Sequence, residues 1–413
     1  MSDRRGAGGD GTMTGEGPGS GAVPTARRSG APRGRWTEPG VPGTLPRLDS
    51  LTALRWWAAL AVFAHHMTNF APLPIAGPLS LGAQGVAFFF VLSGFVLTWS
   101  ARPGTRVSTF YWRRFARIWP AHMVALLLAV PVFVGPPADV EESWVRPLSA
   151  VLLLSVVLLH GWSANNEVVF SGNPASWTLS LEAFFYATHP WLDRLLGRTG
   201  RRAALAVLLV IPVTAAVLYI ARSEIDALAH LPRPVLRLWE FCLGMALAHA
   251  VRLGWRPRLP VPVVLGLLLV VCAGVFLGPL RAPGVWEALR LGPLSPVMIP
   301  AACGIVILAY AVRELRGRAD GSGRGAPAGW LVRLGEWSFA FYLLHATLIY
   351  ACRGWFGLQP MGWANLGVYA AVLVPAIAGA WALHAWVEKP IERRMRRWKD
   401  RRDREREARA RER

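Results

Sequence analysis

The stretch that decides the fold reads LTALRWWAALAVFAHHMTNF, residues 51–70. It is nearly all apolar, and its length suits a helix crossing a hydrocarbon core about 30 Å thick. Yet it carries Arg55 near its start and His65-His66 near its end. Eleven residues at about 100° each come to roughly 20° past three whole turns, so Arg55 and His66 share one helix face, about 16 Å apart along the axis. His65 lies about 100° round from that face, at an interface. For this helix alone two readings stay open. Arg55 and His66 either snorkel to opposite membrane surfaces or line a polar site within the membrane. What the other segments bring to the same level decides between them.

The chain has 413 residues, of which 53% are hydrophobic and 17% charged, with a mean hydropathy of +0.34. Apolar runs of spanning length recur between the tails, which describes an all-α polytopic integral membrane protein and not a string of soluble domains. The net charge of +20 sits in the tails and short loops. The positive-inside rule and anionic lipid account for that placement, and no nucleic-acid partner is expected. Cys242, Cys272, Cys303 and Cys352 lie in or beside apolar segments with no CxxC and no Cys/His cluster. They read as small buried hydrophobes, and no metal site is expected.

Residues 1–46, rich in Gly, Pro, Ser, Thr and Arg, form a disordered cytoplasmic tail by composition. Residues 47–391 form the transmembrane domain, and 392–413 a charged cytoplasmic tail, a solvated helix along or beyond the inner surface. After the first span, others are predicted at 80–100, 118–135, 176–195, 203–221, 233–253, 260–279, 295–313, 336–353 and 365–387. That makes about ten. A further apolar piece, 150–162, is short. If it does not cross, the basic loops 101–117, 196–202 (Arg198, Arg201, Arg202), 252–259 and 314–335 all fall inside. The segment with Asp139, Glu141 and Glu142 then falls outside. If it crosses, the later arginine clusters land outside. We therefore read 150–162 as a re-entrant or interfacial helix, with both termini cytoplasmic and the protein multi-pass in the plasma membrane. No internal repeat is detectable.

That topology brings Glu182 to a depth comparable with His66. Glu182, Tyr186 and His189 fall at i, i+4 and i+7 of one helix face. A carboxylate within a span needs a partner, and His66 is the obvious one; Glu182 would then fix the imidazole tautomer. Pairing of Glu182 with an interhelical Arg or Trp for packing alone is the competing reading. Ser93-Gly94 places a small polar kink mid-span, where either plain helix packing or a ligand is accommodated. Ser338, Tyr342 and His345 form another i, i+4, i+7 stripe, and Arg237 with Glu240 reads as a structural ion pair. Arg114 and Arg117 share a face at the start of a span. Their guanidinium forks suit phosphate esters, and they equally suit an ordinary positive-inside anchor.

These motifs, in this order, resemble the membrane acyltransferase 3 family. They are R-x10-H from Arg55 to His66, FFVLSGF around Ser93, RRxxRIxP, WxLSxExxFY, RxxEFxxG, SxxxYLxH and VEKP at Glu388-Lys389-Pro390. The likeness covers about residues 47 to 394. Thr52, Ala53 and Trp56 depart from the family's LDGLRG, and Ala87 stands where an acidic residue is common. The resemblance implies a stand-alone O-acyltransferase without a soluble SGNH domain. Its expected donor is acyl-CoA, with no bound cofactor, and its acceptor a hydroxyl of a saccharide, glycosylated small molecule or cell-surface glycan. The expected roles are His66 as general base oriented by Glu182, and Arg55, Arg114 and Arg117 on the donor phosphates. Ser93, Tyr186, Ser338, Tyr342 and His345 are expected at the substrate or oxyanion. The runner-up is a proton-coupled transporter or flippase, because intramembrane His and Glu also serve as proton relays. Such folds often show internal repeats, and none is found here.

Overall fold

The structure, a computed structural model, describes residues 45–102, 104–134 and 149–412. Nearly all of the expected disordered tail, and the acidic residues Asp139, Glu141 and Glu142, lie outside the described residues. Among those described the protein is helical. The long helices are α1 (Asp49–Met67), α2 (Gly85–Ser100), α3 (Val107–Phe133), α4 (Trp177–Leu196), α5 (Arg201–Glu224), α6 (Arg233–Arg252), α7 (Val261–Arg281), α8 (Leu291–Ala319), α9 (Gly329–Phe356), α10 (Asn365–Ala382) and α11 (Lys389–Arg411). A π-helical turn, Leu383–Glu388, joins the last two.

Seven helices are long and apolar enough to cross a membrane: α2, α3, α5, α6, α7, α8 and α10. The three further long helices before the tail, α1, α4 and α9, fall short of that apolarity for one reason. They carry Arg55, His65 and His66; Glu182, Tyr186 and His189; and Ser338, Tyr342 and His345. Most of these polar groups face one another or a cavity inside the bundle. On the periphery, Leu209, Val217, Val263, Leu269 and Val270 are each 60% exposed or more. An apolar surface of that kind belongs against lipid tails.

Close backbone approach fixes the centre of the bundle. A Cβ on Gly94 would meet the Phe241 carbonyl oxygen at 2.0 Å, and one on Gly244 the Val91 oxygen at 1.8 Å, so α2 and α6 are in backbone contact. That settles Gly94 as a packing residue. The N-terminus of α1 has no cap of its own. Glu314 of α8 supplies one, accepting from the amides of Asp49 (3.1 Å) and Ser50 (2.8 Å), which satisfies donors that an α-helix leaves open and complements its dipole.

The piece at 150–162 folds as a helix of six residues, Val151–Val156, and a 3-10 turn, His160–Trp162. At about 1.5 Å per residue it is far too short to cross. Its irregular backbone is tied into the bundle. His122 Nε2 meets the Ser155 carbonyl at 2.9 Å and Ser180 Oγ donates to Leu158 O at 2.6 Å, while in the following loop Asn173 Nδ2 donates to Leu343 O at 2.8 Å. Such backbone is tolerated at membrane depth only when protein covers it.

Helix α3 begins at Val107, well before residue 118, and carries Arg114 and Arg117 on its first part. One expectation needs correction: the charged C-terminal segment is not a freely solvated helix. It runs antiparallel along α3: Thr109 Oγ1 donates to Asp403 at 2.6 Å, Arg113 pairs with Asp400 at 3.1 Å, and Trp112 Nε1 donates to Met395 O at 2.8 Å. One face of it is taken up by α3, a partner that sequence order does not reveal, while Arg397, Arg401, Arg402, Arg404 and Arg406 stay exposed.

Candidate active site

Glu182 lies near the start of α4, and Tyr186, one turn later, donates to its Oε2 at 3.0 Å. The single phenolic proton is thereby used, so Ser93 Oγ, 3.3 Å from the Tyr186 oxygen, is the donor in that contact. Arg55 from α1 and Arg114 and Arg117 from α3 converge on the same place. With Thr178, Ser338, Phe339 and Tyr342 they line a cavity of about 140 Å³. One carboxylate thus faces three guanidinium groups, and their charges act on it. The cavity is polar at its floor and apolar along Val86, Phe89, Phe90 and Leu97.

The expected pairing of His66 with Glu182 is not formed. The His66 ring lies 5.2 Å from His65 and 5.1 Å from His345, centroid to centroid. The cause is the depth at which α4 starts. The chain before it folds into the bundle, and Glu182, near the start of α4, comes beside the arginines. Moreover α1 packs against α9 and α2, and it does not run along α4. Of the expected site residues, Arg55, Ser93, Arg114, Arg117, Glu182, Tyr186, Ser338 and Tyr342 share the cavity. His66 and His345 form a second polar spot beyond Tyr342, whose ring is 5.6 Å from that of His345. Arg237 and Glu240 form the expected pair, with Nη2 to Oε2 at 3.0 Å.

Arg117 is held in place by two carboxylates while it lines the cavity. It is bonded to Glu388, and Glu392 Oε2 lies 3.3 Å from its Nη1. Glu388 is only 1% exposed and its other oxygen faces His384 at 3.2 Å. Around these groups lies a second cavity of about 330 Å³, lined by Arg47, Thr52, Arg55, Arg117, Glu336, His384, Lys389, Glu392, Arg393 and Arg396. Arg55 and Arg117 belong to both cavities. Sequence reasoning missed Glu388 and the α11 contribution. The VEKP run marked the position, but the charge alternation after it read as a water-facing helix.

With this geometry in view, comparison with known proteins is decisive. The acyltransferase 3 family, described as an acyltransferase domain, matches residues 48–385. The chain belongs to the acyltransferase 3 family. This acyltransferase is similar to acyltransferase MdmB of Streptomyces mycarofaciens, 35% identical over 392 residues, covering 86% of this chain and 94% of that protein. It is also similar to exopolysaccharide production protein ExoZ of Rhizobium meliloti (strain 1021), 29% identical over 323 residues, covering 77% and 92%. Nodulation protein 10 of Rhizobium leguminosarum bv. viciae matches a shorter part, 29% over 175 residues, 38% of this chain and 48% of that protein. No solved structure matches the acyltransferase. The protein is therefore a membrane acyltransferase, and the arginine-rich double cavity and the histidine group beyond it are its candidate site. A guanidinium cluster suits an anionic donor, and a half-buried imidazole suits proton transfer.

Proposed function

We propose that this acyltransferase moves an acetyl or other short acyl group from cytoplasmic acyl-CoA to a hydroxyl of a saccharide, a glycosylated small molecule or a cell-surface glycan. The observation that carries this reading is the sharing of Arg55 and Arg117 between the two cavities. The outer of the two cavities at the tail side, bordered by Lys389, Arg393 and Arg396, holds the phosphates. The thioester arm passes Arg55 and Arg117 into the apolar cavity, whose Tyr342 ring is 5.6 Å from that of His345, the neighbour of His66. In the plasma membrane, with both termini cytoplasmic, this arrangement takes the donor from inside and the acceptor from the opposite side.

His66 takes the proton of the acceptor hydroxyl as that oxygen attacks the thioester carbonyl carbon. The tetrahedral intermediate collapses with cleavage of the C–S bond, and the proton passes to the departing thiolate. Positioned base catalysis of this kind typically contributes about 10²–10⁴-fold. Glu182 has a different task from the one its sequence position implied. It holds Tyr186, and through it Ser93, at the cavity wall, and it offsets part of the arginine charge. The name of ExoZ, an exopolysaccharide production protein, supports a saccharide-borne hydroxyl as acceptor.

The test is thiol release from acetyl-CoA by membranes containing the protein, with a panel of hydroxyl acceptors. His66→Ala should lose activity by about 10²-fold or more. Replacing Arg114 and Arg117 together by Ala should raise the apparent KM for acyl-CoA by about tenfold or more. Full activity in the first variant removes His66 as the base, and an unchanged KM in the second removes those arginines from the donor.

A further inference from the structure

His345 is fully buried, with 0% exposure, and its ring stacks on Phe341 at 5.8 Å. Its Nδ1 faces two backbone carbonyls, Tyr342 O at 2.8 Å and Phe341 O at 3.2 Å. Carbonyl oxygens only accept, so Nδ1 carries the ring proton and Nε2 carries the lone pair. That Nε2 is buried and has no hydrogen-bond partner. The adjoining ring, His66, has a buried Nδ1 that also lacks a partner, and the two centroids are 5.1 Å apart. Two unpaired ring nitrogens in neighbouring buried rings carry an energetic cost that one shared hydrogen bond removes.

Building on the reading of His66 as base, we propose that His345 is its positioning residue. The Nε2 lone pair of His345 accepts from His66 Nδ1–H, which fixes the His66 tautomer and leaves His66 Nε2 as the lone pair that takes the acceptor's proton. When that proton arrives, the hydrogen bond from Nδ1–H shares the imidazolium charge with His345. This is the work that sequence reasoning gave to Glu182. A neutral partner suits the place: the His345 ring, itself 0% exposed, lies against the Phe341, Tyr342 and His66 rings, where an unpaired carboxylate is costly. The proposal also explains why His345 is held so firmly by its own helix. The backbone bonds at Nδ1 determine what Nε2 offers.

Two substitutions separate this role from a structural one. Glutamine at 345 can put an acceptor oxygen where Nε2 lies, whereas asparagine reaches only the level of Nδ1. At saturating acyl-CoA, His345→Asn should lower kcat on the order of 10²-fold with the KM for acyl-CoA unchanged, and His345→Gln should recover most of that loss. The reverse order, equal loss in both, or full activity in both overturns the proposal. Should either variant fail to fold in detergent, ¹⁵N spectra of the histidine-labelled wild-type protein decide: His66 should be protonated at Nδ1 and bare at Nε2, and the opposite tautomer overturns it. His66→Ala distinguishes the two levels. If that variant stays active, the reading of His66 as base fails; if it is dead while His345→Asn is active, only the role of His345 fails.

Discussion

Two buried carboxylates illustrate how residue-scale electrostatics divides stability from function. Glu182 is a single acid among three arginines beside a cavity, whereas Glu240 is matched one to one with Arg237 and has no exposed side chain. Arg237 also lies over the Phe90 ring at 5.3 Å, so its charge is held on two sides. The pair lies between the Phe90 ring of α2 and the Tyr219 and Tyr342 side chains, and its one-to-one charge match fits a structural pair. Removing one partner of a buried pair leaves an uncompensated charge, which costs about 3–5 kcal/mol, while replacing both with apolar groups is often close to neutral. Glu240→Gln should therefore destabilise the protein by that amount in thermal unfolding in detergent, and adding Arg237→Met should restore most of it. An E240Q protein as stable as wild type would show that the pair contributes nothing.

At the scale of elements, the docking of α11 on α3 sets the tail-side wall of the site. Besides its ion pairs, α11 brings Trp398 to 4.9 Å from the Trp112 ring. Asp403 sits at the hinge of this contact. The Lys399 ammonium, followed by the Thr109 hydroxyl, holds its carboxyl below the ordinary carboxylate range. A folded-state value depressed in this way gives stability that is present above the unfolded value, about 3.9, and is lost as pH falls through the folded value. The α11–α3 contact should thus persist at neutral pH and loosen below about pH 4. Asp403→Asn should loosen it without acid. Distances between spin labels on the two helices would check both; a contact indifferent to acid and to the substitution would remove Asp403 as its anchor.

At the scale of the whole molecule, the ends of the bundle have different chemistry. One end gathers Arg47, Lys389, Arg393 and Arg396 round the second cavity. The other is closed by backbone and amide bonds, with Asn365 Nδ2 donating to Pro72 O at 2.8 Å and Gln359 N to Phe70 O at 2.9 Å. By the positive-inside rule the proposed orientation puts the basic end in the cytoplasm. A cysteine introduced at Arg404 should react with an impermeant thiol reagent only in inside-out vesicles, and one at Gln359 only in intact cells. The opposite pattern would turn the protein over and put the donor cavity on the wrong side for acyl-CoA.

The residues by themselves determined the helical membrane class, the order of the long helices and the family, while the start of α3 fell well before the expected span. Each follows from local properties: apolar run length, charge placement between runs, and motifs in fixed order. Periodicity also showed correctly that Glu182 and Tyr186 share a face, as do Ser338, Tyr342 and His345. Only the tertiary structure decided which faces meet. A helical repeat fixes a side chain's direction about its own axis, but neither the rotation nor the offset of the neighbouring helix. The offset of α4 is set by the folded-in segment before it, and it moved Glu182 from His66 to Arg55, Arg114 and Arg117. In the same way, the charge pattern of residues 392–411 fits open water and fits α3 equally well, and the bundle chose α3. The face from Arg55 to His66 marks both ends of the site, and His345, on a helix far along the chain, is the residue packed against its histidine.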